Sequence, residues 1–130
     1  VLANRTSLID APDGIAPVSY STNSPWVLSI SDGGAEISGQ EAAIRFAAST
    51  VRFVREKKPA ALLICGGESA DAILDLFGIA VLKVRAEITP GLPLCEIRTE
   101  YGRIQFVTKS GGFGTPTLLA ELLEEASRQI

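Results

Sequence analysis

No histidine occurs among the 130 residues, and that absence excludes more chemistry than any motif adds. Ser–His and Cys–His nucleophilic pairs, histidine general bases and the common zinc sites each lose an essential group. Cysteine is scarce: Cys65 and Cys95 lie far apart without metal-ligand spacing and are expected to be buried small apolar groups, Cys65 having the stronger claim to a role because it abuts a glycine corner. Methionine is missing as well, and the chain opens Val1-Leu2-Ala3; the expectation is a processed product or a piece of something larger. Positive charge is not in excess, with 12 Lys and Arg against 15 Asp and Glu and a net charge of −3. Nucleic acid and anionic membrane are therefore not expected as partners, since both need a clustered positive field. No apolar run approaches the roughly 18 residues of a membrane span, and no signal-peptide layout is present. The cytoplasm is the expected location.

A hydrophobic content of 46% with 21% charged residues suits one globular domain over residues 1–130. Residues 1–24 are loop-rich, with Pro12-Asp13-Gly14, Pro17 and Asn23-Ser24 before Pro25, and leave room for at most one short strand near residues 7–10. Trp26-Val27-Leu28-Ser29-Ile30 reads as a buried strand ended by Ser31-Asp32-Gly33-Gly34. Over residues 40–57, Ala43, Ile44, Ala47, Val51 and Val54 recur at helical spacing, with Arg45, Arg52, Arg55 and Lys57 toward water. Ser38 and Glu41 form a capping-box pattern at its start.

Residues 60–65 form a short apolar run, expected to be a strand buried on both faces. A helix over residues 70–77 follows, with Gly78 as its left-handed cap, and residues 79–84 are the third strand candidate. Strand, helix, strand, helix, strand implies right-handed βαβ units. Beyond them Cys95, Ile97 and Thr99 alternate with charged residues, as do Ile104, Phe106 and Thr108 after Tyr101-Gly102, which predicts an antiparallel hairpin with one buried face. A last helix over residues 116–129 presents Leu118, Leu119, Leu122, Leu123 and Ala126 on one side. The expected fold is a single α/β domain whose mainly parallel sheet, with flanking helices, carries an added antiparallel hairpin.

Two glycine corners carry the functional signal. Lys109-Ser110-Gly111-Gly112-Phe113-Gly114 lets backbone approach a ligand closely, and the following Thr115-Pro116 suits the N-cap and first position of a helix whose N–H groups attract anions. Gly66-Gly67-Glu68-Ser69 follows a strand, where open α/β sheets bind ligands. Two corners in one small chain suggest one crevice. Each taken singly also fits a tight turn. A Walker loop is absent because the Lys-Ser pair precedes the glycines, and the G-x-G-x-x-G dinucleotide spacing is missing too. Ser69 serves either as a helix cap or as a phosphate contact. Glu68 and Asp71 either hold Mg²⁺ through water or answer the helix dipole, and Asp32 reads as a turn residue.

The order of Gly66-Gly67-Glu68-Ser69, then Glu87-Ile88-Thr89-Pro90-Gly91-Leu92-Pro93, then Lys109 through Gly114 resembles the C-terminal nucleotide-binding domain of the four-carbon acid sugar kinase family. The resemblance runs from about residue 60 to the last helix, residues 1–57 matching only in general pattern. It implies phosphorylation of threonate, erythronate or their 3-oxo relatives with ATP and Mg²⁺, one wall of the ATP site at Gly66 to Ser69 and another at Gly112 within its loop. The family more often has Asp-Thr where this chain has Glu68-Ser69, which keeps a carboxylate and a hydroxyl. Its sugar-acid-binding N-terminal domain and the Ser-rich segment after it are not found in these residues. The chain is thus expected to be the ATP-binding portion of a kinase, inactive alone, with no catalytic residue and no metal ligand of its own, the sugar acid held mainly by the missing domain and oligomers allowed. The alternative is a stand-alone nucleotide- or anion-binding regulatory module.

Overall fold

Two sheets and three helices account for the elements of a computed structural model that describes residues 7–17, 26–110, 114 and 117–128. In chain order these are β1 (Ser7–Pro12), β2 (Trp26–Ser31), α1 (Gly39–Lys57), β3 (Ala61–Cys65), α2 (Gly67–Phe77), β4 (Lys83–Thr89), β5 (Leu92–Thr99), β6 (Gly102–Lys109) and α3 (Leu118–Arg128). β1 and β2 pair in parallel as a two-stranded sheet. The larger sheet has the order β3-β6-β5-β4, in which β3 and β6 are parallel and the β4/β5 and β5/β6 pairs antiparallel. This is an α/β domain with parallel pairs, flanking helices and an antiparallel hairpin.

Local chemistry explains the boundaries. Ser38 caps α1 by accepting the Glu41 N–H at 3.0 Å, and Glu41 turns its carboxylate to Arg45 four residues on. Lys58 closes the helix at φ 50°, donating its N–H to the Val54 carbonyl. α2 ends at Gly78, whose φ of 73° is the left-handed conformation expected of it. The hairpin also stands as expected: Cys95, Ile97 and Thr99 of β5 and Ile104 and Phe106 of β6 are buried on one face. Against that face pack Ala47, Val51 and Val54 of α1 with Ala70, Ile73 and Leu74 of α2.

α1 is buried on a second side, which helical spacing of aliphatic residues does not reveal. Phe53 meets Trp26 edge to face at 5.3 Å. Buried Ser49 donates to the Gly14 carbonyl at 2.9 Å and accepts the Ala16 N–H at 3.1 Å, while Arg52 donates to the Ala16 carbonyl. Gly14 is required there: its φ is +88°, and an added Cβ would collide with the Ala42 carbonyl of α1. β1, β2 and the segment around Gly14 are thereby fixed to the helix.

Several expectations are corrected. The third strand lies at Lys83–Thr89, not residues 79–84, and runs antiparallel beside β5, so it does not continue a βαβ series. The segment before it is not free to pair, because the Ile79 N–H is drawn back to the Leu74 carbonyl as the helix ends and Ile79 and Leu82 pack on the core. β3 is not buried on both faces, Ile64 being its one buried residue, and β2 has no buried residue. Both are edge strands with a face in solvent. Ile44, expected on the apolar face of α1, is 54% exposed. Residues 1–6, 18–25, 129 and 130 lie outside the described residues, and with them the start of the last expected helix at Pro116.

Phe106 is fully buried in the central strand of the larger sheet. Phe106→Ala is expected to cost about 3–5 kcal/mol by removing transfer energy and leaving a cavity, whereas Val81→Ala, at a residue 82% exposed, should stay within about 0.5 kcal/mol. Urea unfolding followed by circular dichroism measures both.

Candidate functional site

Parallel pairing of β3 with β6 brings the two glycine corners together. Cys65 is the register partner of Lys109, and one residue further the Gly66 N–H donates to the Lys109 carbonyl at 2.8 Å. The chain leaves both strands at the same point, one branch turning into α2 and the other entering the Ser110 loop. The β4–β5 turn at Pro90-Gly91 lies at this end of the sheet as well, since β4 runs in the direction of β6. Topology thus brings all three motifs, which are separated in sequence, to one end of the sheet.

Gly66 has φ 99° and ψ 128°, a conformation unfavourable to any residue with a Cβ, and it lets β3 pass directly into α2. Among the described residues, a Cβ built on Gly66 or Gly67 would meet no heavy atom within 4 Å. Among them no side chain caps α2 at Gly66, where the early N–H groups of the helix lie at its positive dipole end. Such an end suits an anion's oxygens. Glu68 and Asp71 are exposed in the first turns. Ser69, considered as the cap, is instead inside the first turn of the helix and half-buried, because α2 begins at Gly67 rather than residue 70.

Lys109 is half-buried, and its Nζ donates to the Ser110 carbonyl at 3.1 Å, which holds the ammonium beside the loop. Ser110 is exposed. Gly111, Gly112, Phe113 and the Thr115-Pro116 cap fall outside the described residues. Gly114 has φ 88°, and an added Cβ would run into the Leu118 side chain, so Gly114 itself lies tightly against α3. There Thr117 donates its hydroxyl to the Glu121 carboxylate at 2.9 Å.

Cys65 is exposed at the crevice rather than buried, since the end of an edge strand lacks cover. Cys95 is buried, and that burial raises its thiol pKa. Asp32 is the turn residue expected, accepting the Gly34 N–H at 2.9 Å. Asp13 was legible only as part of a Pro-Asp-Gly turn, yet it ties the β1 and β2 ends together: at φ 51° its two oxygens accept from Gly33 and Ala35 at 3.0 and 3.1 Å. Among the described residues no cluster of three or more His, Cys, Asp or Glu side chains could enclose a metal ion, and no helix is long and apolar enough to cross a membrane.

These features define an α/β domain with a crevice where adjacent parallel strands end. The chain belongs to the family described as the nucleotide-binding C-terminal domain, whose model matches residues 1–119, and with it to the four-carbon acid sugar kinases. The match includes residues 1–57, expected to agree only in general pattern. A 3-oxo-tetronate kinase of Pectobacterium atrosepticum is 30% identical over 115 residues, 87% of this chain and 26% of that protein. A D-threonate kinase of Salmonella typhimurium is 24% identical over 65% of this chain and 20% of its own length. The chain therefore spans about a quarter or less of these relatives. Among solved structures, a domain of unknown function from Bordetella bronchiseptica, a domain-swapped dimer with bound citrate, superposes with a TM-score of 0.68 at 20% identity over 92% of this chain and 32% of that one. A Haemophilus influenzae protein gives 0.65 at 16% identity over 98% and 35%.

The two thiols are expected to separate cleanly by reactivity. In the folded protein iodoacetamide should modify Cys65 and leave Cys95 untouched until denaturant is added, as read by peptide mass spectrometry. Equal modification rates would contradict the assigned burial.

Proposed function

We propose that this chain is the ATP-binding portion of a kinase that phosphorylates a four-carbon sugar acid of the threonate or erythronate type. The observation that carries the reading is the Gly66 N–H to Lys109 carbonyl bond, which joins the start of one glycine corner to the start of the other. Membership of the nucleotide-binding family and similarity to proteins named as sugar-acid kinases support the nucleotide and the substrate class.

The residues present fit a polyphosphate. Backbone N–H groups from Gly67 to Ser69 lie at a helix end without a side-chain cap among the described residues, glycines leave room for close approach, and the Lys109 ammonium is held against the Ser110 carbonyl at the adjoining corner. ATP bound there supplies the transferable phosphoryl group. Gly66, Gly67, Glu68 and Ser69 form one wall, with Lys109, Ser110, Gly111, Gly112, Phe113 and Gly114 forming the other. One or two carboxylates and phosphate oxygens commonly suffice for Mg²⁺, and Glu68 and Asp71 would be the carboxylates of this chain to hold it, through water, where it would offset the charge of the phosphates. Phosphoryl transfer depends mainly on positioning and charge stabilisation, so a domain of backbone donors and a lysine contributes without a histidine. The sugar acid and the group that activates its hydroxyl belong to residues beyond these 130.

Lys109 provides the test. A charge-assisted hydrogen bond to phosphate contributes about 1.5–3 kcal/mol, so Lys109→Gln should weaken ATP at least about tenfold and AMP much less. Calorimetric titration of both nucleotides reads this directly. Equal weakening of the two, or of neither, would take Lys109 out of contact with the distal phosphates.

A further inference from the structure

At the end of the larger sheet away from the glycine corners, the face opposite the buried one holds a cluster of cations that the nucleotide reading does not use. Arg85 of β4, Arg98 of β5 and Arg103 of β6, with Lys83 at the start of β4, surround Glu96. They line a hollow of about 390 Å³ whose other lining residues are Ile97 and the apolar segment Ile79-Ala80-Val81. Glu96 takes Arg85 through Nη2 at 3.0 Å and Nε at 3.1 Å on one carboxylate oxygen, and the Nε of Arg103 at 3.4 Å on the other. Lys83 is the cross-strand partner of Glu96. Arg98 and Arg103 are direct cross-strand partners of each other. Like charges set opposite one another destabilise a strand pair, yet here they stand in a chain whose net charge is negative.

One carboxylate does not neutralise four cations, and among the described residues Lys83 and Arg98 find no ion-pair partner. The uncompensated charge is concentrated in one hollow rather than spread along a surface. The hollow's volume falls in the range of small-molecule sites. Guanidinium groups present planar forks of donors that match carboxylate and phosphate oxygens. We propose that this hollow is a second binding site, for a small molecule carrying two or more carboxylate or phosphate groups. It is separate from the glycine corners: Arg103 is the second residue of β6 and Lys109 its last, a run of roughly 20 Å at strand rise. Glu96 holds Arg85 and Arg103 in place and competes with the ligand for them.

Titration calorimetry in low-salt buffer, with citrate and with pyrophosphate as the probes and inorganic phosphate as the single-group control, tests the site and tells carboxylate from phosphate preference. At least one of the two probes should bind, more tightly than inorganic phosphate. Arg98→Gln, at an exposed residue, should weaken it by about tenfold or more, and Lys83→Gln should act in the same direction if Arg98→Gln fails to fold. Glu96→Gln should tighten binding severalfold, an effect that a merely structural ion-pair cluster would not produce. Lys109→Gln should leave citrate binding unchanged, and pyrophosphate, which the glycine corner also fits, is scored only by its dependence on Arg98. Absence of binding by both probes, binding insensitive to Arg98→Gln and Lys83→Gln, or loss of the Arg98-dependent binding on Lys109→Gln would each overturn the site, the last by moving the anion to the glycine corner.

Discussion

Parallel pairing between β3 and β6 is the constraint on which the crevice depends. The two strands are far apart in sequence, with α2, β4 and β5 between them, and their contact is the least local in the larger sheet. Its ladder runs from Ala61 opposite Gln105 to Cys65 opposite Lys109 and is extended at either end by Gln105 N–H to the Ala60 carbonyl and Gly66 N–H to the Lys109 carbonyl. Slipping this register by one residue would turn Ile64 and Leu62 away from the core and misalign both glycine corners. Core packing, through Phe106 opposite Leu62, therefore also sets the geometry where phosphates would be held.

α1 transmits that order to the rest of the chain. One side of it completes the core over the larger sheet, and the other receives Trp26, Gly14 and Ala16 from the segment of β1 and β2. Arg55 adds a link toward the far end, its Nε 2.6 Å from Glu100 and its guanidinium 5.8 Å above the Phe77 ring. The carboxyl of Glu100 sits below its ordinary pKa, chiefly through a backbone hydrogen bond at its own residue, with Arg55 adding to it against desolvation. Both side chains are about half exposed, so the pair orients these elements more than it stabilises them.

Much of this was legible in the order of residues. The capping Ser38, the Gly78 stop and the alternation of β5 and β6 are local signals, each settled within a few residues, and each is found in the structure. What was not legible required knowledge of neighbours. The direction of β4 depends on pairing with β5 rather than on the apolar run before it, and the exposure of β3, and with it Cys65, goes with its place as an edge strand among the described residues. Ser69 was misplaced because the positive φ of Gly66 starts α2 early, an effect that a serine beside two glycines does not announce. The basic face was invisible in a chain of net charge −3, since only strand register gathers Lys83, Arg85, Arg98 and Arg103 into one place.

The central claim is that the juxtaposed glycine corners form the nucleotide site. Amide chemical-shift mapping of the ¹⁵N-labelled chain during an ATP–Mg²⁺ titration tests it most directly, because backbone N–H groups are the proposed ligands. The account predicts saturable shifts at Gly66, Gly67, Glu68 and Ser69 together with Ser110 and Gly114, while the β1 and β2 amides stay in place. Saturable shifts elsewhere with those corner amides unmoved would contradict it.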